Sequence, residues 1–208
     1  MDKEYWEAYY AAQEPSEQPS DFAKFCSKEY TAAHGIIFDV GCGNGRDSLC
    51  FSSLSIPVIG IDQCAVATAQ NKQKSARLGL NCSFLQGDFS TVDYDHVAGG
   101  EYSIYSRFTL HAIDYAEESR FFSHLNSGRH LKYLFIEARS IRDSLYGQGK
   151  RVGLHEYVTS HYRRFIDPDL LLSSLKENFL VKYFEEGQGF ARTETEDPCL
   201  IRLIAERR

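Results

Sequence analysis

A glycine-rich turn directly after a short apolar run is the feature that most restricts the fold of this chain. Residues 36–40 (IIFDV) form the run, and the turn GCGNG occupies residues 41–45. Such a run, bounded by glycines, is typical of a strand buried on both faces of a parallel sheet. Glycine permits a tight turn into a helix and lets the backbone approach a ligand beside the positive helix end. The pattern predicts an α/β fold with a ligand-binding turn.

Helix and strand signals alternate after this turn, as in successive β-α-β units of a mainly parallel sheet. The spacing predicts helices over 47–54, 65–78, from Asp114 with a capping box to Glu117, and 168–178. Strands are expected at 57–61, 82–85, 102–105, 131–137, 179–186 and 199–205. The stretch 139–166 shows no regular pattern. Because connections in compact domains are usually short, we interpret it as a substrate loop, unless it contains a short helix.

The length of 208 residues suits a single domain. Two helices are expected at Glu4–Ala12 and Asp21–Ala33, separated by a polar stretch with two prolines. Their aromatic residues suit core packing better than a roof over a ligand. We therefore expect one domain over 1–208, with a helical N-terminal cap at 1–33 and an α/β core at 34–208.

Composition excludes several classes of function. The net charge of −6 argues against a nucleic-acid partner. No apolar stretch is long enough to span a membrane, and the start has no cationic leader, so we expect no membrane partner and a cytoplasmic protein. The six cysteines form no C-x-x-C pair, which predicts reduced thiols and no metal site. The sequence does not indicate an oligomeric state.

Three carboxylates follow the first three predicted strands. Asp39 ends the first, Asp62 the second, and Asp88 follows the third. Carboxylates at this edge of a parallel sheet suit a nucleoside, with Asp62 accepting from ribose hydroxyls and Asp88 from an adenine amino group. A dinucleotide loop would need a third glycine at position 46, where the chain has Arg46. The segment GQGKR at 147–151 also lacks the spacing and hydroxyl of a P-loop.

The motifs DVGCGNG (39–45), GID (60–62) and QGD (86–88) resemble those of the class I S-adenosylmethionine-dependent methyltransferases, and the element order is similar over about 22–208. The resemblance implies a Rossmann-like, seven-stranded, mostly parallel sheet with an antiparallel last strand, and S-adenosylmethionine as cofactor. It implies that Asp39 and Gly41 flank the methionine part, Asp62 the ribose, and Asp88 with Phe89 the adenine. The candidate cofactor-binding residues are Asp39, Gly41, Gly43, Gly45, Asp62, Gln63, Asp88, Phe89 and Ser106.

The fourth strand departs from the family pattern. It ends in YSIYSRF (102–108), where the family usually has an acidic or polar residue, and no Asn-Pro-Pro-Tyr segment is present. N-methylation of nucleic acid is therefore disfavoured. Together with HYRRF (161–165), this run resembles a subset of methyltransferases from bacterial surface-polysaccharide and natural-product pathways.

Basic residues concentrate in the stretch 139–166, although the chain is acidic overall. Arginine forks bind carboxylate and phosphate, so an anionic acceptor is one interpretation, and a solvated loop is the other. The candidate substrate-binding residues are Arg107, Arg139, Tyr162, Arg163 and Arg164. Arg107 has the alternative of an internal pair with Asp114 or Glu137.

We expect methyl transfer to an oxygen of a small acceptor such as a sugar, phosphate or carboxylate. A hydroxyl acceptor needs a base, and histidine suits neutral pH. The candidate catalytic residues are His155 and His161, then His111, for which a packing role is favoured, and Arg107. An anionic acceptor needs no base. The alternatives are a small-molecule N-methyltransferase, a cofactor-binding module without catalysis and, more remotely, a dehydrogenase.

Overall fold

A computed structural model of the protein describes residues 3–12, 16–29 and 35–208. The helices are α1 (Lys3–Ala12), α2 (Asp21–Glu29), α3 (Arg46–Ser53), α4 (Ala65–Leu78), α5 (Tyr94–Ala98), α6 (Tyr115–Ser127) and α7 (Pro168–Leu175). The strands are β1 (Ile36–Val40), β2 (Val58–Asp62), β3 (Cys82–Gln86), β4 (Tyr102–Arg107), β5 (Leu131–Arg139), β6 (Lys150–Gly153), β7 (Glu156–Val158), β8 (Tyr162–Arg164), β9 (Phe179–Gly187) and β10 (Leu200–Arg207).

The main sheet has seven strands in the order β3-β2-β1-β4-β5-β10-β9. Strands β1 to β5 are parallel to one another, and β10 is antiparallel to both β5 and β9. The order reverses at β1, where β2 and β4 lie on opposite sides. Ligands bind at such a switch point beyond the carboxyl ends of the strands. The predicted seven-stranded Rossmann-like sheet with an antiparallel last strand is confirmed.

Apolar side chains cover both faces of this sheet. One core cluster joins strand residues to α6 and α7 through Phe121, Leu125 and Leu175. The other joins the strands to α2 and α3 through Phe22 and Phe51. The sheet is thus the middle layer of a sandwich, and its strand ends are fixed by packing on both sides.

The stretch 139–166 is not an irregular loop. It contains β6, β7 and β8, which form an antiparallel three-stranded sheet. A bridge between Ser140 and Ile166 joins the two ends of the stretch. The strands have only three or four residues and are mostly exposed or half-buried, so they show no apolar alternation that a sequence pattern detects.

Other differences concern helix ends. The described part of helix α2 ends at Glu29, and its predicted continuation to Ala33 lies outside the described residues. Helix α7 ends at Leu175 rather than Asn178. The short α5 has no counterpart in the sequence analysis.

The capping box of α6 is confirmed, since Asp114 accepts from Glu117 N at 2.8 Å and Glu117 accepts from Asp114 N at 2.9 Å. Among the helices that the structure describes, none has the length and apolar character needed to cross a bilayer.

Candidate cofactor and acceptor site

The glycine turn leaves β1 and is held against β2. The amides of Gly41 and Cys42 both donate to Ile61 O, at 2.8 and 3.1 Å. Gly41, Gly43 and Gly45 all have positive φ, with values of 67°, 51° and 73°. Other residues adopt this region at a cost because of their Cβ atoms. The turn therefore depends on glycine for its conformation.

Neighbouring side chains fill the space that larger residues in the turn would need. A Cβ atom on Gly41 would lie 2.6 Å from Thr109 Oγ1, and one on Gly43 would collide with the Tyr10 hydroxyl. A Cβ atom on Gly45 would lie 2.8 Å from the Asn71 side chain. The turn is thus tightly enclosed by α1, α4 and the segment after β4.

A cavity of about 570 Å³ lies over the turn, within the size range of small-molecule sites. Its lining combines acidic, aromatic and basic side chains with the turn backbone. The lining residues are Trp6, Tyr9, Tyr10, Ser16, Asp39, Gly41, Cys42, Gly43, Asn44, Arg46, Asp47, Asp62, Arg107, Phe108, Thr109 and Ala112.

Asp62 holds the turn from the end of β2. Its Oδ2 accepts from Gly43 N and its Oδ1 from Cys64 N, both at 2.8 Å. Burial raises the pKa of this carboxyl group above its ordinary value. A carboxylate has about four acceptor positions, so both oxygens retain capacity for ligand hydroxyls.

Two further carboxylates face the same cavity. Asp39, at 3% exposure, accepts from Ser48 Oγ at 2.5 Å. Burial and then the charge of Asp47 raise the pKa of Asp39 to about 8. Asp47, in the first turn of α3, is a lining residue that the sequence analysis missed. The signal that could have identified Asp47 is its place two residues after Gly45, the last glycine of the turn.

The roof of the cavity is aromatic. Trp6, Tyr9 and Tyr10 of α1 line it, and Tyr5 lies 5.1 Å from Trp6 between ring centroids. Burial and the nearby Asp62 raise the pKa of Tyr10 far above its ordinary value. Three acids beneath aromatic rings suit a cation, because carboxylates and ring faces both attract positive charge. The residues therefore fit an adenosyl sulfonium compound.

The candidate cofactor residues divide into two sets. Asp39, Gly41, Gly43 and Asp62 line the cavity. Outside the lining are Gly45, Gln63, Asp88, Phe89 and Ser106.

Three of the outer residues have clear positions. Asp88 caps the turn after β3 by accepting from Ser90 N at 2.9 Å. Phe89 lies in the core, where its ring centroid is 5.1 Å from that of Phe121. Ser106 is fully buried, and its Oγ has no partner among the described residues. The predicted adenine contacts of Asp88 and Phe89 stay predictions.

Arg107 lies at the β4 end of the cavity. Its Nε donates to Glu137 Oε1 at 2.9 Å, which matches the internal alternative, while its guanidinium lies 4.0 Å from the Phe108 ring centroid. Glu137 also accepts from Arg202 Nε at 2.6 Å. One carboxylate thus balances two guanidinium groups. The group presents a net positive charge at this end.

Two of the other candidate arginines are engaged within the fold. Arg139 donates to Asp143 at 3.0 Å and to both oxygens of Glu196 at 2.8 Å. Arg164 is buried between Glu118 and the carbonyl oxygens of Leu110 and Ile113. Both arginines therefore connect structural elements, because their donors point at internal acceptors.

Tyr162 and Arg163 on β8 are half-buried. The Tyr162 hydroxyl donates to Ile113 O at 3.3 Å, and Arg163 Nη1 donates to Thr159 Oγ1 at 2.7 Å. Among the ion pairs between described residues, none involves Arg163. Burial and the charge of Arg139 lower the pKa of Arg163. Arg163 is thus a cation with like charge nearby.

The three candidate histidines differ in their surroundings. His155 has a positive φ of 59° and forms a 2.8 Å hydrogen bond between Nδ1 and the Tyr146 hydroxyl. His161 stacks on α1, with ring centroids 4.4 Å from Tyr5 and 5.8 Å from Trp6. Neither is among the lining residues.

His111 lies behind the cavity wall. Its ring centroid is 5.1 Å from that of Phe108, which lines the cavity, and its Nδ1 has no partner among the described residues. Burial, followed by the charges of Arg139 and Arg163, lowers its pKa well below the ordinary value. His111 is therefore neutral near pH 7, and its buried Nδ1 is unpartnered among the described residues.

The sheet order, the glycine turn and the acid-lined cavity are those expected of a class I S-adenosylmethionine-dependent methyltransferase. Residues 37–132 match the sequence model of the family described as methyltransferase domain, which supports S-adenosylmethionine-dependent methyltransferase activity. A search of curated proteins finds no significant match.

Solved structures share the fold at low identity. A Methanosarcina mazei S-adenosylmethionine-dependent methyltransferase has a TM-score of 0.69 and 19% identity, covering 85% of this chain and 94% of its own. Magnesium protoporphyrin IX methyltransferase from Synechocystis, solved with S-adenosylmethionine, has 0.62 and 16%, covering 90% and 76%. The glycopeptide N-methyltransferase MtfA has 0.62 and 15%, covering 89% and 94%. S-adenosylmethionine is the cofactor of this class.

Proposed function

We propose that the enzyme methylates an oxygen atom of a small anionic acceptor and that His111 removes the proton when that oxygen belongs to a hydroxyl group. S-adenosylmethionine supplies an activated methyl group when bound. The protein therefore has to align the acceptor, exclude water and accept one proton. Of the three candidate histidines we favour His111, which lies behind Phe108, over His155 and His161 in the turns of the small sheet.

 The place of His111 beside Phe108 of the cavity wall, with Nδ1 unpartnered among the described residues, is the observation that carries this proposal.

His111 has the properties of a proton acceptor. It is neutral because burial and the neighbouring Arg139 and Arg163 disfavour its charged form, with a lowered pKa as the result. A neutral imidazole with an unpartnered nitrogen can accept a proton from a hydroxyl group. A buried polar atom without a partner is uncommon in a folded protein, and a catalytic role is one explanation for it.

Arg163 supports the anionic character of the acceptor. The other arginines near His111, Arg107 and Arg139, are each paired with carboxylates of their own, whereas Arg163 donates a hydrogen bond to the neutral Thr159. A half-buried guanidinium beside further positive charge attracts a carboxylate or phosphate. We therefore assign Arg163 to the anionic group of the acceptor.

The two assignments support each other electrostatically. An anion beside Arg163 offsets the positive charge that lowers the pKa of His111, so acceptor binding raises this pKa toward neutrality. His111 then becomes a better base once the acceptor is in place. A neutral acceptor would not offset the positive charge that lowers the pKa of His111.

An N-methyltransferase is the second candidate. The aromatic residues Trp6, Tyr9 and Tyr10 and the carboxylate of Asp47 favour it, because an amine acceptor suits rings and acids. MtfA, an N-methyltransferase of glycopeptides, has the same fold. An amine would gain nothing from Arg163, so the role of this arginine separates the two candidates.

We also propose a cytoplasmic reaction on a small molecule, without nucleic acid as a partner. The six cysteines are free thiols, as is common in a reducing compartment. The formal net charge of −6 is unfavourable for binding nucleic acid.

The test uses matched pairs of acceptors, each a hydroxy acid and its neutral amide, with S-adenosylhomocysteine formation as the readout. We expect turnover of the acids, and we expect Arg163→Gln to raise their KM at least tenfold without changing the Kd of S-adenosylhomocysteine. Arg142→Gln is the matched control, since Arg142 is an exposed arginine paired with Glu186. Equal turnover of acids and amides, or methylation of amines alone, would contradict the proposal.

A further inference from the structure

The loop between β9 and β10 (residues 188–199) brings an exposed carboxylate to a buried arginine. Arg139 Nη2 donates to both oxygens of Glu196 at 2.8 Å. The side chain of Arg139 is 7% exposed, whereas that of Glu196 is 44% exposed. The guanidinium group therefore belongs to the interior of the protein, and this partner belongs to its surface.

The second carboxylate on Arg139 is held more firmly. Asp143 has a fully buried side chain and accepts from Arg139 Nη1 at 3.0 Å. It also accepts from the amides of Leu145 and Cys199, at 2.8 and 3.0 Å. Burial and three donors fix the position of Asp143. Arg139 therefore keeps its place and one counter-charge even when Glu196 moves away.

The contact of Glu196 is one that exchanges easily. Its two oxygens share one nitrogen of Arg139, so the pair lacks the two parallel hydrogen bonds of a fork-like arginine–carboxylate contact. An ion pair with an exposed partner contributes little to stability, because water replaces the contact at small cost. The backbone of Glu196 belongs to a local turn in which Thr193 N donates to Glu196 O and Glu196 N donates to Thr193 Oγ1. The side chain can therefore leave Arg139 without breaking a strand.

The same carboxylate acts on Arg163, the arginine assigned to the acceptor. Burial and the charge of Arg139 lower the pKa of Arg163. The charges of Glu196 and Asp143 oppose this shift. The two guanidinium groups and the two carboxylates thus form one cluster without net charge. Release of Glu196 leaves one positive charge in this cluster, which attracts an anion.

We infer, on the basis of the proposed function, that Glu196 is an internal competitor of the acceptor. It occupies Arg139 in the free enzyme and exchanges for the carboxylate or phosphate of the acceptor, which then contacts Arg139 and Arg163. No covalent bond changes in this exchange, and the released Glu196 carboxylate returns to water. A neutral acceptor cannot replace Glu196 on Arg139, so the exchange selects acceptors by charge.

The exchange is compatible with the role of His111. Burial, Arg139 and Arg163 lower the pKa of this histidine. Buried charges are screened less than exposed ones, so an anion between the two arginines compensates them better than the exposed Glu196 does. The proton acceptor is therefore more basic with the acceptor in place than with Glu196 in place.

The first test uses inorganic phosphate as the probe anion, on enzyme saturated with S-adenosylhomocysteine and without an acceptor. We expect Glu196→Gln to lower the Kd of phosphate at least fivefold, because the anion no longer competes with a carboxylate. Glu194→Gln is the matched control, since Glu194 is an exposed acid of the same loop and its substitution changes the net charge equally.

Calorimetry measures each Kd, and thermal unfolding shows that each variant is folded. The control should change the Kd of phosphate less than twofold. Adding Arg163→Gln to Glu196→Gln should remove the gain, because the anion loses its second guanidinium group. An equal Kd in wild type and Glu196→Gln, or no phosphate binding by either protein, would overturn the inference.

Hydrogen exchange separates release of Glu196 from a general effect of its charge. Saturating phosphate should raise the exchange rates of the backbone amides of residues 193–196 several-fold in the wild type, because the loop loses its contact with Arg139. Glu196→Gln should show the raised rates without phosphate. Unchanged rates in the wild type at saturating phosphate would show that Glu196 stays on Arg139 and would overturn the exchange.

Turnover separates this inference from the proposed function. Glu196→Gln should lower the KM of the hydroxy acids at least fivefold and leave kcat within twofold. A raised KM for the acids would identify Glu196 as a structural residue and would contradict its role as a competitor. Failure of the proposed function has a different signature, since it appears in the wild type as equal turnover of acids and amides, whatever the phosphate measurements give.

Discussion

The cofactor half and the acceptor half of this enzyme use charge in opposite ways. In the cofactor half, three carboxylates at the ends of β1 and β2 and in α3 face one cavity. In the acceptor half, arginines surround a neutral histidine, and most of them are paired with internal carboxylates. A cation fits the first half and an anion fits the second.

Whether a charged residue near a site can bind a ligand depends on the groups with which it is already paired. Arg163 and Arg164 are neighbours in sequence and both lie on β8. Arg164 is enclosed by Glu118 and two backbone carbonyl groups, whereas Arg163, within the described part of the chain, donates one hydrogen bond to a hydroxyl group. Only the second arrangement leaves positive charge for a ligand.

The largest expected effect is on catalysis in the acceptor half. His111→Gln should lower kcat by about 10²–10⁴-fold, the usual contribution of a positioned base, because the acceptor proton loses its destination. The Kd of S-adenosylhomocysteine should stay within twofold. Single-turnover measurements on a hydroxyl acceptor test this. His155→Gln is the control, and an equal loss in that variant would assign the proton transfer elsewhere.

Substitutions of the adjacent Arg163 and Arg164 should have different effects on the free energy of unfolding. Arg164→Gln should lower the free energy of unfolding by roughly 3–5 kcal/mol, because it removes a buried guanidinium and leaves the half-buried Glu118 without its partner. Arg163→Gln should change it by less than about 1 kcal/mol, since it loses one hydrogen bond. Urea unfolding of both variants gives the values. Similar losses in the two variants would remove the distinction between structural and ligand-binding arginines.

The cofactor half is tested at the end of β2. Asp62→Ala should raise the Kd of S-adenosylhomocysteine more than tenfold, or about 1.4 kcal/mol, because the turn loses the acceptor for Gly43 N and the ligand loses a carboxylate. Calorimetry measures the affinity. Asp93→Ala is the control, since Asp93 caps α5 and lies outside the cavity lining. An unchanged affinity in the Asp62 variant would exclude this carboxylate from the site.

The two halves should also respond oppositely to pH. The pKa of Asp39 is about 8 in the folded protein, against an ordinary value of 3.8, so the folded state binds this proton more tightly. The stability that the bound proton contributes is therefore lost as pH rises toward 8. His111 has a pKa below 6.5 when folded, so its contribution is lost as pH falls below 6.5. Each slope is at most about 1.4 kcal/mol per pH unit. Asp39→Asn should remove the first slope and His111→Gln the second, as measured by urea unfolding between pH 5 and 8.5; unchanged slopes would contradict these ionisation states.

Much of the fold follows from the sequence because its signals are local. The glycine turn, the alternation of apolar runs and the capping box at Asp114 identify the main sheet and its helices. Strands β6 to β8 escape detection because three-residue strands carry too little periodicity. Their pairing depends on contacts within the small sheet rather than on any residue pattern.

Site residues that lie at strand ends can be predicted from the sequence. Site residues that are defined by their hydrogen-bond partners and burial cannot. Asp39 and Asp62 follow from their places after β1 and β2. Asp47 is recognised only when Ser20 and Tyr105 are seen to orient it. The distinction between His111 and the other histidines likewise requires burial and the positions of the arginines, which no spacing in the sequence reveals.

The central claim, that the cavity beneath α1 binds the cofactor, is tested most directly through Trp6. This residue is the single tryptophan of the chain and it lines the cavity. Titration with S-adenosylhomocysteine should change its fluorescence saturably, with the same Kd as calorimetry gives. Binding seen by calorimetry without any change in Trp6 fluorescence, or no binding at millimolar ligand, would contradict the account.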